Sequence, residues 1–382
     1  MSSNSRLWIQ AAALAGALLA AQSASAQTEL VYGAWPPAGE YLNRVALPKA
    51  FAAIEQETKG QIKWKLVPGG QLAGPKETFQ AIQDGVMTSG LGISTYVPNL
   101  IPSVNAIYTT AIFGKDDATG VIAATGAAVE TIAMNCPSCL EEFKKLNIVP
   151  LSGWTSSGYY LACREPIRSM ADLKGKRVRA TGGNHELMNM AGAVPIAATL
   201  VEAVGLLQRG GVDCQLGVHN WLRVFGYGDV AKYVTDFSFG LTGPAIGLML
   251  NRDVWNKMTP EQKQAHLKQA AYISASLALG QFVIENERDL KEVMDNKGVQ
   301  LVKPTDEAGF VKLTQDYDKA QRVRNVENAK KFGVKDPAAI IAAYDKNREK
   351  WAKLAPAIGR DIDKFADAIW QEVYSKVDPS KL

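Results

Sequence analysis

The order of apolar and polar positions after residue 27 predicts strands and helices in alternation. A strand is predicted at 30–32, and the stretch 41–58 places apolar residues close to helical spacing. A second strand at 62–67 alternates apolar and polar residues and ends at a Pro-Gly-Gly turn, before a helix predicted at 75–83. This order is typical of a parallel or mixed sheet that is covered by helices.

A second series of strands and helices is predicted over about 157–250, and a long helix follows at 260–296. The segment 199–202 (TLVE) has the form of a capping box, and a Thr-Pro-Glu-Gln cap starts the long helix. That helix reaches ~55 Å, although Gly280 near its middle costs about 1 kcal/mol relative to Ala. Two α/β series without an obvious linker, followed by a helical region from 307, predict two lobes that exchange strands.

The first 26 residues are predicted to be a secretory signal peptide. Arg6 is followed by an almost unbroken apolar stretch at 7–21, and an Ala-Ser-Ala cleavage site ends at Ala26. The alternative is an uncleaved membrane anchor. Because no later run of ~18 apolar residues follows, we expect an exported chain that begins at Gln27 and resides in the periplasm.

Composition narrows the class of protein. The chain has 382 residues, about two domains' worth, with 42 Lys and Arg against 38 Asp and Glu. A charged fraction of 21% and a hydrophobic fraction of 47% exclude a disordered chain. The net charge of only +4 argues against a partner that is a nucleic acid.

The four cysteines permit three disulfide pairings, and the sequence does not choose among them. They are Cys136, Cys139, Cys163 and Cys214. The Cys-Pro-Ser-Cys segment 136–139 permits a redox-active pair, a local structural disulfide or two free thiols. We disfavour the redox enzyme because the motif does not lie between a strand and a helix near the start of the chain. A zinc site is not predicted, since a second Cys-x-x-Cys is missing and the histidines lack ligand spacing.

Five stretches of the chain follow one another in a recognisable order. They are 68–77 (PGGQLAGPKE) with 82–85 (IQDG), 172–179 (DLKGKRVR), 192–195 (GAVP), Gln208 with 212–215 (VDCQ), and 251–252 (NR) with 254–255 (VW). Together, over roughly residues 28–350, they resemble the solute receptors of tripartite ATP-independent periplasmic (TRAP) transporters, of the dicarboxylate-receptor (DctP-like) family.

The resemblance implies an α/β, two-lobed periplasmic-binding-protein fold (type II-like) with crossing strands, a long helix spanning both lobes and a helical C-terminal region. Lobe I is expected at 27–156 plus about 245–284, and lobe II at 157–244 plus about 285–382. Such a receptor closes on a small organic acid and delivers it to a small and a large membrane subunit that use an ion gradient. It implies neither an enzyme nor a cofactor.

Arg179 is the first candidate for the ligand site. In the family, the Arg that ends this strand binds the substrate carboxylate, and a guanidinium offers two parallel donors to that group. Arg177 is expected to point in the same direction on the strand, but the motif favours Arg179. The alternative is a surface Arg in an ion pair.

Other family contacts differ in this chain. Tyr159 replaces a second Arg, Gly217 replaces an Asn, and a pocket acid of some receptors corresponds to a position near Ile93. Aromatic residues are expected to line the pocket instead. They are Trp35, Tyr96, Trp154, Tyr159 and Trp221. The sequence therefore predicts a monocarboxylate ligand, keto, hydroxy or aromatic, although these rings are also typical of a core.

Polar candidates complete the predicted site. Gln215 matches a family Gln, and Ser94, Asn184 and His219 are candidates for contacts to the ligand, with His219 equally compatible with a structural role. We predict no metal ligands, because no carboxylate cluster suits calcium.

Two other classes of function compete with a TRAP receptor. A secreted enzyme has only the Cys136/Cys139 pair in its favour, since no Gly-x-Ser-x-Gly, His-Glu-x-x-His or Ser-x-x-Lys motif is present. A binding protein of an ATP-driven (ABC) importer or of a sensor kinase would bind its ligand in the same way, and only its membrane partners would distinguish it.

Overall fold

The computed structural model describes residues 27–110 and 114–382. The predicted signal peptide lies outside the described residues. Within them the chain forms two six-stranded sheets. The first sheet contains β1 (Thr28–Gly33), β2 (Ile62–Val67), β3 (Ser89–Ile93), β4 (Ile148–Pro150), β5 (Gly153–Trp154) and β11 (Ala245–Asn251). Its order is β2-β1-β3-β11-β4, with β5 also beside β11. Strands β1, β2 and β3 are parallel, and β11 is antiparallel to its neighbours.

The second sheet contains β6 (Tyr160–Cys163), β7 (Arg177–Arg179), β8 (Val194–Ile196), β9 (Cys214–Gly217), β10 (Tyr233–Thr235) and β12 (Gln300–Val302). Its order is β12-β10-β6-β9-β7-β8. The chain passes from the first sheet to the second after β5, returns at β11, and passes over again before β12. The prediction of a mixed α/β architecture with strand exchange is confirmed.

Helices cover both sheets. In chain order they are α1 (Leu47–Glu57), α2 (Thr78–Gln83), α3 (Pro102–Thr110), α4 (Ala118–Glu130), α5 (Pro137–Lys145), α6 (Met170–Leu173), α7 (Gly183–Met190), α8 (Leu200–Gln208), α9 (Asn220–Val224), α10 (Arg252–Lys257), α11 (Pro260–Ala275), α12 (Asn286–Lys297), α13 (Glu307–Lys331), α14 (Pro337–Ile358) and α15 (Ile362–Glu372). Wider π-helical turns occur at Leu42–Ala46, Thr131–Asn135 and Ser276–Glu285.

The predicted helix starts are confirmed at two capping boxes. The Thr199 side chain accepts from the Glu202 amide before α8, and Thr259 accepts from the Gln262 amide before α11. In both cases the third residue of the helix reaches back to the capping amide, so two otherwise unpaired N–H groups are satisfied.

The long helix predicted at 260–296 is one continuous helical segment built from α11, the π turn Ser276–Glu285 and α12. We call it the connecting helix. Gly280 permits a close approach within it, because a Cβ there would lie 2.2 Å from the Tyr41 hydroxyl oxygen. The glycine therefore brings the helix against the loop that follows β1.

The C-terminal helices pack mainly on the first half of the chain. Trp351 of α14 is buried against α4, where a Cβ at Gly126 would lie 2.1 Å from the indole ring. The Trp351 Nε1 donates to Glu130 at 2.7 Å, and Lys350 pairs with the same carboxylate. The lobe boundaries given above stay a prediction, and α14 contacts residues that they assign to lobe I although it lies in the C-terminal part of lobe II.

Two disulfides answer the pairing question that the sequence left open. Cys136 is bonded to Cys139 at the start of α5, and Cys163 is bonded to Cys214 across the antiparallel pair β6 and β9. Both sulfurs of the first pair are buried, with Cys136 1% and Cys139 0% exposed. A buried disulfide is poorly placed for thiol exchange with another protein.

Several short elements differ from the sequence prediction. The segment 148–154 forms two short strands, β4 and β5, and the helical region predicted from 307 is divided into α13, α14 and α15. Strands β8 and β10 and helices α7 and α9 were not predicted, because elements of three to eight residues carry too few positions for a periodic pattern. Across residues 27–110 and 114–382, we find no helix with the length and apolar character needed to cross a membrane.

Candidate functional site

A small cavity lies between the two sheets. Its walls come from the loop after β1, the ends of β3 and β7, helix α9 and the connecting helix. The cavity volume is about 50 Å³, which exceeds the roughly 10 Å³ that one buried water needs. A cavity of this size excludes a polymer, and an acid with an aromatic ring, which needs on the order of 150 Å³, enters only if the two sheets move apart.

Arg179 ends β7 and contributes a buried cation to this cavity. Only 2% of the residue is exposed. Its Nε donates to the Ala198 carbonyl at 2.8 Å, and its Nη2 donates to the Tyr96 hydroxyl at 3.3 Å. Among the residues that the structure describes, no carboxylate lies within 4.0 Å of it to form an ion pair. A buried guanidinium paired only with neutral groups is a strong binding site for an anion.

Four tyrosines surround the guanidinium. They are Tyr96, Tyr108, Tyr159 and Tyr227. Burial raises the pKa of each phenol, that of Tyr159 to about 12. These hydroxyls are therefore neutral at pH 7 and do not neutralise the arginine. The Tyr96 oxygen also accepts from the Leu200 amide at 3.2 Å, so its own proton is free to be donated to a ligand oxygen.

The Tyr159 hydroxyl is fixed by a chain of hydrogen bonds. It is bonded to the hydroxyls of Tyr108 and Thr242. Thr242 in turn accepts from the Asn184 side-chain nitrogen at 3.1 Å. Asn184 is thus placed to orient Thr242, and through it the tyrosine, rather than to line the cavity itself.

Flat aromatic walls enclose the rest of the cavity. Trp221 meets Tyr159 edge-on, with ring centroids 5.3 Å apart. A Cβ at Gly217 would lie 2.3 Å from Trp221 Cε3, and one at Gly247 would lie 2.4 Å from Trp154 Cζ3. These two glycines therefore make room for the two indole rings, and the space that a side chain at position 217 would need is filled by Trp221.

Six of the residues predicted from the sequence lie together at this cavity. They are Trp35, Tyr96, Trp154, Tyr159, Arg179 and Trp221. The Trp35 Nε1 donates to the Leu91 carbonyl at 3.1 Å. Because its one polar group is thus occupied, the Trp35 ring forms an apolar wall of the cavity. The Arg177 side chain does not line the cavity, contrary to the expectation that it points the same way as Arg179. It forms an ion pair with Asp213 at 2.6 Å instead.

The other four predicted residues lie outside the cavity lining. Asn184 is one of them, as described above. The Gln215 amide donates to the Leu216 carbonyl at 2.9 Å, and the Ser94 hydroxyl bonds to Asn105 at 3.3 Å. His219 is buried with its ring centroid 4.0 Å from that of Tyr160, and burial lowers its pKa to about 4. It is therefore neutral at physiological pH.

Several further lining residues were not predicted from the sequence. They are Glu40, Tyr108, Phe225, Thr242, Gln281 and Phe282. Glu40 and Gln281 are bonded to each other across 241 residues of sequence. Neither belongs to a motif, and only the packing of the connecting helix on the first loop brings them together.

Within 27–110 and 114–382 no group of three or more His, Cys, Asp or Glu side chains is arranged to hold a metal ion. Both cysteine pairs are oxidised to disulfides. The residues around Arg179 offer a charged, enclosed binding site for a small anion.

Comparisons with known proteins agree with this geometry. Residues 43–325 match the family described as bacterial extracellular solute-binding protein, family 7 (DctP). A protein of uncharacterised function from Salmonella typhimurium, YiiZ, is 27% identical over 221 residues, which is 55% of this chain and 63% of that protein.

Two solved structures share the fold. A TRAP solute-binding protein from Rhodoferax ferrireducens in complex with copurified benzoate is 16% identical, with a TM-score of 0.74 over 86% of this chain and 100% of that one. A marine metagenome TRAP solute-binding protein specific for aromatic acid ligands, in complex with 3-hydroxybenzoate, is 19% identical, with a TM-score of 0.73 over 85% and 99%. The expected type II periplasmic-binding-protein fold is confirmed. The chain belongs to the DctP family of TRAP transporter solute-binding proteins, a family of periplasmic, non-enzymatic receptors.

Proposed function

We propose that this receptor captures a small monocarboxylate with a flat apolar or aromatic body. The carboxylate binds the guanidinium of Arg179 and the hydroxyl of Tyr96, and the body lies between the rings of Trp154 and Trp221. The observation that carries the proposal is the buried guanidinium, whose partners among the described residues are a carbonyl and a phenol.

The charge of the lining supports one carboxylate rather than two. Among the described lining residues, Arg179 is the one cation and Glu40 the one acid. Tyr159 stands where the resemblance expects a second arginine, and it is neutral. A second ligand carboxylate would therefore be buried without a counter-charge, at a cost of several kcal/mol.

Two of the relatives hold ligands of the proposed class. The structures from Rhodoferax ferrireducens and the marine metagenome hold benzoate and 3-hydroxybenzoate. Each is a monocarboxylate on a flat ring, which suits a cavity with one cation and indole walls.

The remaining steps of transport follow from the family. The chain is exported through its N-terminal 26 residues, closes on the acid between its two sheets, and delivers it to the small and large membrane subunits. Delivery through an ABC importer or to a sensor kinase would require other membrane partners. Uptake of the acid by cells that contain this receptor together with a TRAP membrane pair, and not by cells lacking either component, distinguishes these routes.

A thermal-shift screen tests the ligand class. Residues 27–382 are heated with dicarboxylates, keto and hydroxy monocarboxylates, aromatic acids and sugar acids. A ligand at about 100 times its Kd adds ~2.7 kcal/mol, which raises the Tm of a chain of this size by roughly 4 °C. We expect shifts with monocarboxylates that Arg179→Ala abolishes. Shifts with dicarboxylates alone would contradict the proposal.

A further inference from the structure

The loop after β1 places an acid at the cavity, in the wall that belongs to the first sheet. Glu40 is 5% exposed and lines the cavity. Its amide donates to the Pro37 carbonyl, and its own carbonyl accepts from the amides of Asn43 and Arg44, each at 3.0 Å. The backbone that carries the carboxyl group is thus held firmly.

The connecting helix supplies a partner for this acid. Gln281 also lines the cavity, and its Nε2 donates to Glu40 Oε1. The other oxygen of each side chain, Glu40 Oε2 and Gln281 Oε1, is buried and has no hydrogen-bond partner among the described residues. Buried oxygens without partners are costly, so this pair is suited to a polar group that enters the cavity.

The surroundings of Glu40 keep it neutral. Burial and the nearby Glu285 carboxylate raise the pKa of Glu40 to about 8, while Gln281 and Arg223 lower it and Asp289 raises it. At pH 7 the carboxyl group is therefore mostly protonated, and it donates through its O–H. Together with the acceptor on Gln281, the pair offers one donor and one acceptor side by side, and exchanging the amide N and O positions preserves this.

One donor beside one acceptor is complementary to a hydroxyl group, which accepts one hydrogen bond and donates another. Arg179 belongs to the opposite sheet and forms no ion pair with Glu40 within 4.0 Å. A ligand that spans the cavity thus meets the guanidinium at one wall and this pair at the other.

We propose that Glu40 and Gln281 form a second polar subsite, which binds a hydroxyl group on the acid at the end away from its carboxylate. The inference rests on the proposed function, because it takes the carboxylate to be held by Arg179. It makes the loop after β1 and the connecting helix determinants of specificity among monocarboxylates.

The test uses acids that differ by one hydroxyl group. Kd values are measured at pH 7 by titration calorimetry for benzoate with 3- and 4-hydroxybenzoate, and for phenylacetate with 3- and 4-hydroxyphenylacetate. Hexanoate with 6-hydroxyhexanoate is the aliphatic pair. We expect at least one hydroxylated acid to bind about tenfold tighter than its parent.

Three variants assign that preference to the subsite. Gln281→Leu and Glu40→Leu are expected to reduce the preference, which is the ratio of the two Kd values measured within one variant, to about threefold or less. Glu40→Gln is the matched control, since an amide keeps a neutral donor and is expected to retain the preference. If Glu40→Leu does not fold, Gln281→Leu alone carries the comparison.

The outcomes separate the two proposals. If acids bind the wild type and not Arg179→Ala, but in no pair does the hydroxylated acid bind more tightly than its parent, the subsite is overturned. The proposed function then still stands. A preference that persists unchanged in Gln281→Leu would also overturn it. Failure of every acid to bind would overturn both.

Discussion

Trp221 and Gly217 form a pair in which the small residue makes room for the large one, and this pair can be tested directly. Gly217 lies on β9 with a backbone conformation open to L-residues, so Gly217→Ala introduces no backbone strain. The new Cβ would lie 2.3 and 2.4 Å from two carbons of the Trp221 ring. Carbon atoms in contact lie about 3.5–4.0 Å apart, so the ring must retreat by more than ~1 Å.

The expected cost is that of overpacking, about 1–3 kcal/mol in the free energy of unfolding. In a Trp221→Ala background the clash with the ring disappears, and only Gln215 Nε2, the end of a flexible side chain 2.8 Å from the new Cβ, must still shift. Adding Gly217→Ala there is therefore expected to cost less than ~1 kcal/mol. Urea unfolding of the four proteins at 25 °C gives the coupling energy. Gly217→Ala is also expected to weaken binding of the acid found in the thermal screen, because the Trp221 ring lines the cavity and is displaced.

Additive behaviour would refute this account. If Gly217→Ala destabilises both backgrounds equally, the glycine is required for a reason unrelated to the indole. If Gly217→Ala destabilises neither background, the Trp221 ring has room to shift, and its position does not define the shape of the cavity.

Three further predictions concern other parts of the chain. Arg179→Met should weaken binding of a monocarboxylate by about 3 kcal/mol, on the order of 100-fold, in calorimetry. Unfolding of the ligand-free variant should change by less than ~1 kcal/mol, since an uncompensated buried charge is removed; a large loss of stability would assign Arg179 a structural role instead. Acid binding by the wild type should weaken as pH rises through about 8, where Glu40 becomes an anion, and Glu40→Gln should flatten this profile. A flat wild-type profile from pH 6.5 to 9.5 would contradict that assignment. Replacing Cys163 and Cys214, 51 residues apart, by Ser should cost about 4 kcal/mol, and an unchanged urea midpoint would show that the cross-link does not constrain the unfolded chain.

Motif and periodicity predicted the architecture and the cation of the site. Arg179 was identified because it ends a strand within a family pattern, and it is buried at the end of β7, which lies between β9 and the edge strand β8. The aromatic lining was expected because rings replaced polar family residues. Strand β11 was not predicted individually, although its residues 245–250 are a run without a charged or polar side chain and are buried at every position, as is typical of a central strand.

The sequence did not reveal residues whose position depends on distant packing. Glu40 and Gln281 meet only because Gly280 lets the connecting helix approach the first loop. His219 and Gln215 were chosen as polar residues near the cleft, but each side chain turns to local neighbours, Tyr160 and the Leu216 carbonyl. A single sequence carries no information on such side-chain directions beyond the alternation of a strand.

A crystal structure with the acid that gives the largest thermal shift tests the central claim most directly. We expect the carboxylate oxygens to lie about 2.7–2.9 Å from the guanidinium nitrogens of Arg179. We also expect Tyr96 to donate to the same carboxylate and the body of the acid to pack against Trp221. A carboxylate bound elsewhere, with Arg179 still bonded only to Ala198 and Tyr96, would contradict it.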